Sequence, residues 1–272
     1  MKLTTRILLF IFIVMIAGLL LSNMVLKKQY NALDKSDVYW TYNKLLEQPF
    51  KYLNIKGGNE TNIYYEQSDK PSVRLLQEWV TYHHGEINAF VKSDTLFLNF
   101  DYVPATPFDK YWLENAAPVR IFAPQLLYVN GNNTNLEMHR LKQKYIAIRL
   151  MGKSRIEAES LFPKMDSISV FQTDSSVVKF EMSPDYRIKP TQNEQRGKIE
   201  FHSEAGTSVP ISSQQQNNFD ESMFINSVTA DITGHSILDI GHAQIRDLHL
   251  KVSDSSAIIL SGNAIKKVNA QK

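Results

Sequence analysis

The chain has 272 residues, 43% hydrophobic and 21% charged, with a formal charge of +2. This is the composition of a globular protein and not of a disordered one, and so small a charge lacks the basic footprint of a duplex nucleic-acid binder, so no nucleic-acid partner is expected. The absence of cysteine excludes a disulfide framework, a thiolate metal site, a cysteine nucleophile and a lipidated N-terminal cysteine.

The first element is apolar. Ile7 to Leu26 reads ILLFIFIVMIAGLLLSNMVL, about the length a helix needs to cross the hydrocarbon core, broken only by Ser22 and Asn23. Residues 1–27 are therefore expected to form a signal anchor, a transmembrane helix whose partner is the lipid bilayer through residues 7–26. A cleaved signal peptide is the rival, because Lys2 and Arg6 make a short basic flank; the apolar run is long for that role and no small-residue cleavage site follows it. Lys2 and Arg6 on one side are nearly balanced by Lys27, Lys28 and Lys35 on the other, so charge does not fix the orientation.

Residues 28–49 carry mixed charge, Tyr39, Trp40 and Tyr42, then Leu45, Leu46 and a closing Pro49. They are expected to form a juxtamembrane stalk with a short helix. From Phe50 the pattern changes to alternation with period two, the mark of strands with one buried face. Thr95–Phe100, Val119–Ile121 and Lys198–Phe201 are examples, separated by breakers such as Gly57-Gly58, Asn130–Asn133 and Ser253–Ser256. Pro107–Asn115 and Arg155–Phe162 are the segments with a helical look, and Gln192–Arg196 and Ser212–Asn218 are polar enough to be exposed loops. Residues 50–272 are expected to form one all-β domain.

Near the C-terminus a repeat emerges. Ser227–Arg246 lies over Asp247–Lys266 without a gap, placing Val228, Ala230 and Ile232 on Leu248, Leu250 and Val252, Leu238 and Ile240 on Ile258 and Leu260, and Ile245 on Ile265. A period of about twenty residues holding two or three short strands suits a solenoid, in which each turn buries its apolar row against the turns above and below. Ser167–Phe180 is a fainter copy that shares the Asp-Ser-Ser turn, and Leu127–Met138 a looser one. Evenly spaced strands also occur in β-sandwiches, which remains the competing architecture. The repeat favours a parallel β-helix, or solenoid, behind the N-terminal helix.

Leu250-Lys-Val-Ser-Asp-Ser-Ser-Ala-Ile-Ile-Leu-Ser-Gly-Asn-Ala264 resembles the V-S-G-S-G-D-V-x-L-S-G-x-A motif of the bacterial head GIN domain family, which carries an autotransporter-adhesin label. The likeness is good over Val228–Val268, plausible back to Val119 and thin before it. It implies an exported cell-envelope parallel β-helix, with its C-terminal domain on the periplasmic or extracytoplasmic side and adhesion suggested by the label alone. This chain departs from the pattern in having serine or threonine where glycine is usual and only 11 glycines, so its N-terminal half is expected to be a less regular, capping portion. The family supplies no catalytic residues to carry over.

Several clusters invite chemistry. His235, His242 and His249 recur every seven residues, but on the repeat they fall at turns and on an alternating strand, so they need not converge on a metal. His83 and His84 are adjacent, and on a strand they would point to opposite faces. Asp231, Asp239, Asp247 and Asp254 recur at near-regular spacing, and stacked acids serve some polysaccharide-cleaving solenoids; solvated faces and turns explain them more simply. The commonest hydrolase, zinc-protease and nucleotide-binding motifs are absent. Aromatics crowd Trp79 to Trp112, where they would seal the end of a solenoid. The expected function is a non-enzymatic envelope protein, adhesin-like or structural, with a protein or glycan partner and no cofactor or metal. The alternative is a membrane-tethered polysaccharide lyase or hydrolase, with Asp231, Asp239, His235 and His242 as its candidates.

Overall fold

The computed structural model describes residues 3–32, 36–82, 87–101, 116–161, 163–182 and 223–260, together with Pro107, Tyr111 and Glu114. His83 and His84, the strand expected at Lys198–Phe201, the loops at Gln192–Arg196 and Ser212–Asn218, and the repeat from Ser261 onward lie outside them. The chain divides into two compact units, Met1–Asn43 and Lys44–Lys272.

The first unit is dominated by the helix α1 (Leu3–Ala32), 30 residues long. At about 1.5 Å per residue it exceeds the bilayer's hydrocarbon thickness of about 30 Å. Its apolar side chains are exposed all round, Phe10, Ile13, Leu19, Leu20 and Met24 each by more than half. A helix apolar on every side is not shaped to line the rim of a water-soluble core. It has the length and composition of a membrane span or a signal sequence. The helix runs to Ala32, past the boundary expected at residue 27. Where a stalk helix was expected there is instead a strand, β1 (Tyr42–Leu46), because hydrogen bonding alongside another strand at a sheet edge overrides the weak local preference of YNKLL.

The second unit is mostly β. After β1 come β2 (Tyr52–Lys56), β3 (Ile63–Gln67), β4 (Ser72–Leu76), the short helix α2 (Gln77–Tyr82), β5 (Ile87–Lys92), β6 (Thr95–Phe100) and β7 (Val119–Ala123). There follow β8 (Tyr128–Asn132), β9 (Asn135–Leu141), β10 (Tyr145–Met151), β11 (Arg155–Ser160), β12 (Lys164–Gln172) and β13 (Val177–Met182). The last four are β14 (Phe224–Ile232), β15 (Ile237–Gly241), β16 (Gln244–Val252) and β17 (Ala257–Leu260). Among the described residues they form two open sheets, in the orders β1-β4-β7-β3-β9-β11-β13-β15-β17 and β16-β14-β12-β10-β8-β2-β6-β5. From β8 onward, successive strands alternate between the two sheets and every pair is parallel. That is not the antiparallel pairing of a β-sandwich.

Alternation along each strand builds the core. On β14, Val228, Ala230 and Ile232 are buried and stand opposite Leu248, Leu250 and Val252 of β16, the twenty-residue offset of the sequence repeat. Leu238 stands opposite Ile258 as the repeat requires. Ile240 does not meet Leu260, because the register slips and Gly241 takes that place. The cause is local: the Asp239 carboxylate accepts the Gly241 amide at 2.9 Å, and Gly241 has φ +55°. Between β12 and β14 the offset widens, with Ile168 opposite Val228, so the polar stretch after Met182 is an insertion that leaves the register intact.

Arg155–Phe162, read as helical, contains β11. Ile156 and Ala158 point inward while Arg155 and Glu157 point outward, and pairing with both β9 and β13 decides the matter. Pro107, Tyr111 and Glu114 are helical. Just before the strands of the nine-stranded sheet, buried hydroxyls stand in a row: Thr134, Ser154, Ser176 and Ser236. The Ser176 and Ser236 hydroxyls lie 3.2 Å apart, and Ser154 Oγ donates to Met151 O of its own turn at 2.6 Å while accepting the Thr134 amide at 3.2 Å. Buried Gln172 closes the row by donating to Ser176 O and Ile237 O, each at 3.1 Å. These bonds satisfy backbone groups that the tight turns leave over.

Toward β5 and β1 the pattern becomes irregular. β4 runs antiparallel to β7 and β5 antiparallel to β6, and Trp79 of α2 is buried at 1% exposure. Phe90 and Phe97, expected in the same apolar seal, instead stack on each other on the outer face. Tyr102, Phe108 and Trp112 lie outside the described residues. Toward β16 and β17, Leu250, Val252 and Ile259 are 39%, 40% and 48% exposed.

Candidate binding surfaces

The residues singled out from the sequence are spread over both sheets and their turns. Asp231 lies on β14, its carboxylate 3.0 Å from Lys251 Nζ. Asp239 lies on β15, in the other sheet, and binds its own bulge. His235 is exposed in the turn before β15, where its backbone amide donates to Asp174 O at 2.5 Å. His242 is exposed in the turn before β16, and His249 is exposed on β16 opposite Thr229. Asp247 pairs with Arg246 at 3.0 Å, and Asp254 is exposed in a turn. Among the described residues no group of three metal-ligating side chains gathers.

The outer face of the nine-stranded sheet is a lattice of charges. Register brings Arg120, Tyr64, Glu137, Glu157, Lys179 and Asp239 into one row across six strands. Beside it, His139 sits between two carboxylates, with Nε2 3.4 Å from Glu137 and Nδ1 3.2 Å from Glu159. Hydrogen bonding to Glu137 raises the affinity of its imidazole for a proton, partial burial opposes the shift, and the bond to Glu159 and both carboxylate charges reinforce it. Tyr64 meets the His139 ring edge-on at 5.1 Å, and Arg120 stacks over Tyr64 at 4.9 Å. Arg155 pairs with Glu157, Lys179 with Glu181 at 2.7 Å and Arg140 with Glu66 at 3.8 Å. The face therefore neutralises itself. Such half-exposed pairs contribute about 0–1 kcal/mol each. The His139 cluster escaped a motif search, yet a signal existed: Glu137 and Glu157, and His139 and Glu159, are each twenty residues apart, the spacing of the repeat.

The eight-stranded sheet presents a different outer face. Tyr52 of β2 stands opposite Tyr128 of β8, and Phe90 of β5 opposite Phe97 of β6, with ring centroids 5.1 Å apart and nearly parallel planes. One row runs Phe97, Asn54, Asn130, Arg149, Phe171, Asp231 and Lys251. Arg149 lies over the Phe171 ring at 4.9 Å. The outward residues of β5, β6, β2, β8 and β10 include Lys56, Lys92 and Arg149 and no Asp or Glu. Asp166 on β12 accepts from Asn226 at 3.0 Å. It also accepts from exposed Tyr145, whose phenol it holds above the usual range.

No family model matches the chain, and no curated protein matches it. Solved structures overlap it. A "putative adhesin" from Bacteroides fragilis shares 11% identity at TM-score 0.38, covering 81% of this chain and 96% of its own. A "putative adhesin" from Parabacteroides merdae shares 12% at 0.33, covering 81% and 95%. A "putative lipid binding protein" from Parabacteroides distasonis shares 10% at 0.35, covering 81% and 94%. Overlap at this level leaves the function of this chain to its own residues.

Proposed function

We propose that this is a membrane-anchored, non-enzymatic binding protein, adhesin-like or structural, of the cell envelope. Residues 1–27 serve as an uncleaved anchor, 28–49 lead out of the membrane, and 50–272 wind as a parallel β-solenoid on the periplasmic or extracytoplasmic side. The observation that carries this reading is that, from β8 onward, successive strands alternate between the two sheets and pair in parallel register. Winding of that kind leaves the outer face of each sheet running unbroken along the stack, a surface suited to an extended partner. The buried hydroxyl row and the twenty-residue offset support the winding; the exposed apolar helix supports the anchor.

The orientation rests on the head GIN resemblance. A non-enzymatic role is supported by the way Glu137 and Glu159 both engage His139 on a self-neutralised face. That cluster is also what favours the second reading, a polysaccharide lyase or hydrolase, since carboxylates there share one exposed face with a histidine.

Fractionation of cells expressing the full chain with a C-terminal epitope tests the proposal. The protein is expected in membranes after alkaline and high-salt washing, released by detergent, with its epitope open to protease from outside the inner membrane. Recovery in the soluble fraction, or an epitope protected on the cytoplasmic side, would overturn it. Turnover of an envelope glycan that is lost in Glu137→Gln or Glu159→Gln would establish the second reading instead.

A further inference from the structure

We propose that the outer face of β5, β6, β2, β8 and β10 is a binding site for an acidic polysaccharide, a polymer of uronic acid residues. The inference deepens the binding role proposed above and rests on it. The two sheets differ in how they treat charge. On the nine-stranded sheet Arg140, Arg155 and Lys179 each pair with a neighbouring carboxylate. On these five strands Lys56, Lys92 and Arg149 are exposed, and among the described residues no carboxylate pairs with them. A surface that is cationic without internal neutralisation attracts an anionic partner and gains by its arrival.

The chemistry beside those cations is that of sugar recognition. Tyr52 and Tyr128 stand on neighbouring strands, as do Phe90 and Phe97, and the faces of such rings accept the C–H-bearing face of a pyranose. Asn54 lies between Phe97 and Asn130 along one row and offers donors and an acceptor to ring hydroxyls, whereas Asn130 Oδ1 is buried. Strands spaced about 4.8 Å apart repeat these groups at close to the length of one sugar unit in an extended chain. The guanidinium of Arg149 lies over the Phe171 ring, 4.9 Å from its centroid. A guanidinium presents its donors in the fork that fits a planar carboxylate.

The test is retention of polygalacturonate by the full-length protein in detergent micelles, with neutral dextran, single-stranded DNA and anionic vesicles as parallel arms. Polygalacturonate is expected to bind in preference to all three and to weaken as salt is added. Affinity should fall about tenfold or more in Lys56→Glu and Arg149→Glu, and also in Tyr52→Ala/Tyr128→Ala, while Arg140→Glu on the opposite sheet leaves it unchanged. All these side chains are on the surface, so the variants should retain the parent's circular dichroism. Equal retention by parent and variants, no binding of polygalacturonate, or preference for any of the other three ligands would overturn the proposal. Alkaline fractionation of the same preparations reads the anchor independently, so failure of the glycan site is distinguishable from failure of the membrane-bound binding role.

Discussion

Gly131 faces inward from β8, between Ile55 of β2 and Leu150 of β10. A Cβ there would meet Thr134 Cγ2 at 2.6 Å and Leu150 Cδ2 at 2.8 Å, both in packed surroundings. Gly131→Val should therefore destabilise the unit by about 1–3 kcal/mol, read as a lower urea midpoint. From the sequence, Asn130-Gly131-Asn132-Asn133 looked like a turn; the glycine is instead the position where the neighbouring turn's threonine needs room. His139 offers a second residue-scale test. Because folding raises its proton affinity, its contribution to stability is complete below the unfolded value of about 6.5. That contribution is lost as pH rises through the higher folded value. The urea midpoint should decline from pH 6 toward pH 8.5, and His139→Gln should flatten that decline; an identical profile in the variant would contradict the assignment. Neither partner of His139 belongs to a motif, so only the twenty-residue spacing made the cluster legible, and spacing does not say which residues face outward together.

At the scale of elements, the strands were legible wherever alternation was clean, as at Thr95–Phe100 and Ser227–Ile232, because one buried face leaves a period-two imprint. They were obscure where outward residues are long and charged. Arg155–Ser160 reads as a helix on composition, and only its two parallel neighbours make it a strand. The bulge at Asp239–Gly241 was equally hidden, since a one-residue slip follows from a side-chain bond and not from the apolar pattern. The portion around α2 was expected to be less regular, and its antiparallel pairs, β4 with β7 and β5 with β6, make it so, while Phe90 of its aromatic set is on the surface. Buried Trp79 is the element-scale test. Trp79→Ala should cost about 3–5 kcal/mol, measured by thermal or urea unfolding, whereas Phe90→Ala on the outer face should cost far less.

For the whole molecule, the C-terminal repeat made the pairing of β14 with β16 and of β15 with β17 legible, because like residues stand opposite one another at a twenty-residue offset. What it could not carry was continuity across the interval between Met182 and Met223, where sequence offset and spatial neighbourhood part company. Register across that interval is the central claim, and the cysteine-free chain permits a direct measurement. Ser169 and Thr229 are outward, exposed and paired across β12 and β14, and Thr229 pairs in turn with His249 on β16. Neighbouring strands about 4.8 Å apart lie within disulfide reach, and next-but-one strands at about 9.6 Å do not. Under mild oxidation Ser169→Cys/Thr229→Cys and Thr229→Cys/His249→Cys should form intramolecular disulfides, and Ser169→Cys/His249→Cys should stay reduced. A reduced first pair, or a disulfide in the third, would contradict the register of β12, β14 and β16 on which the account depends.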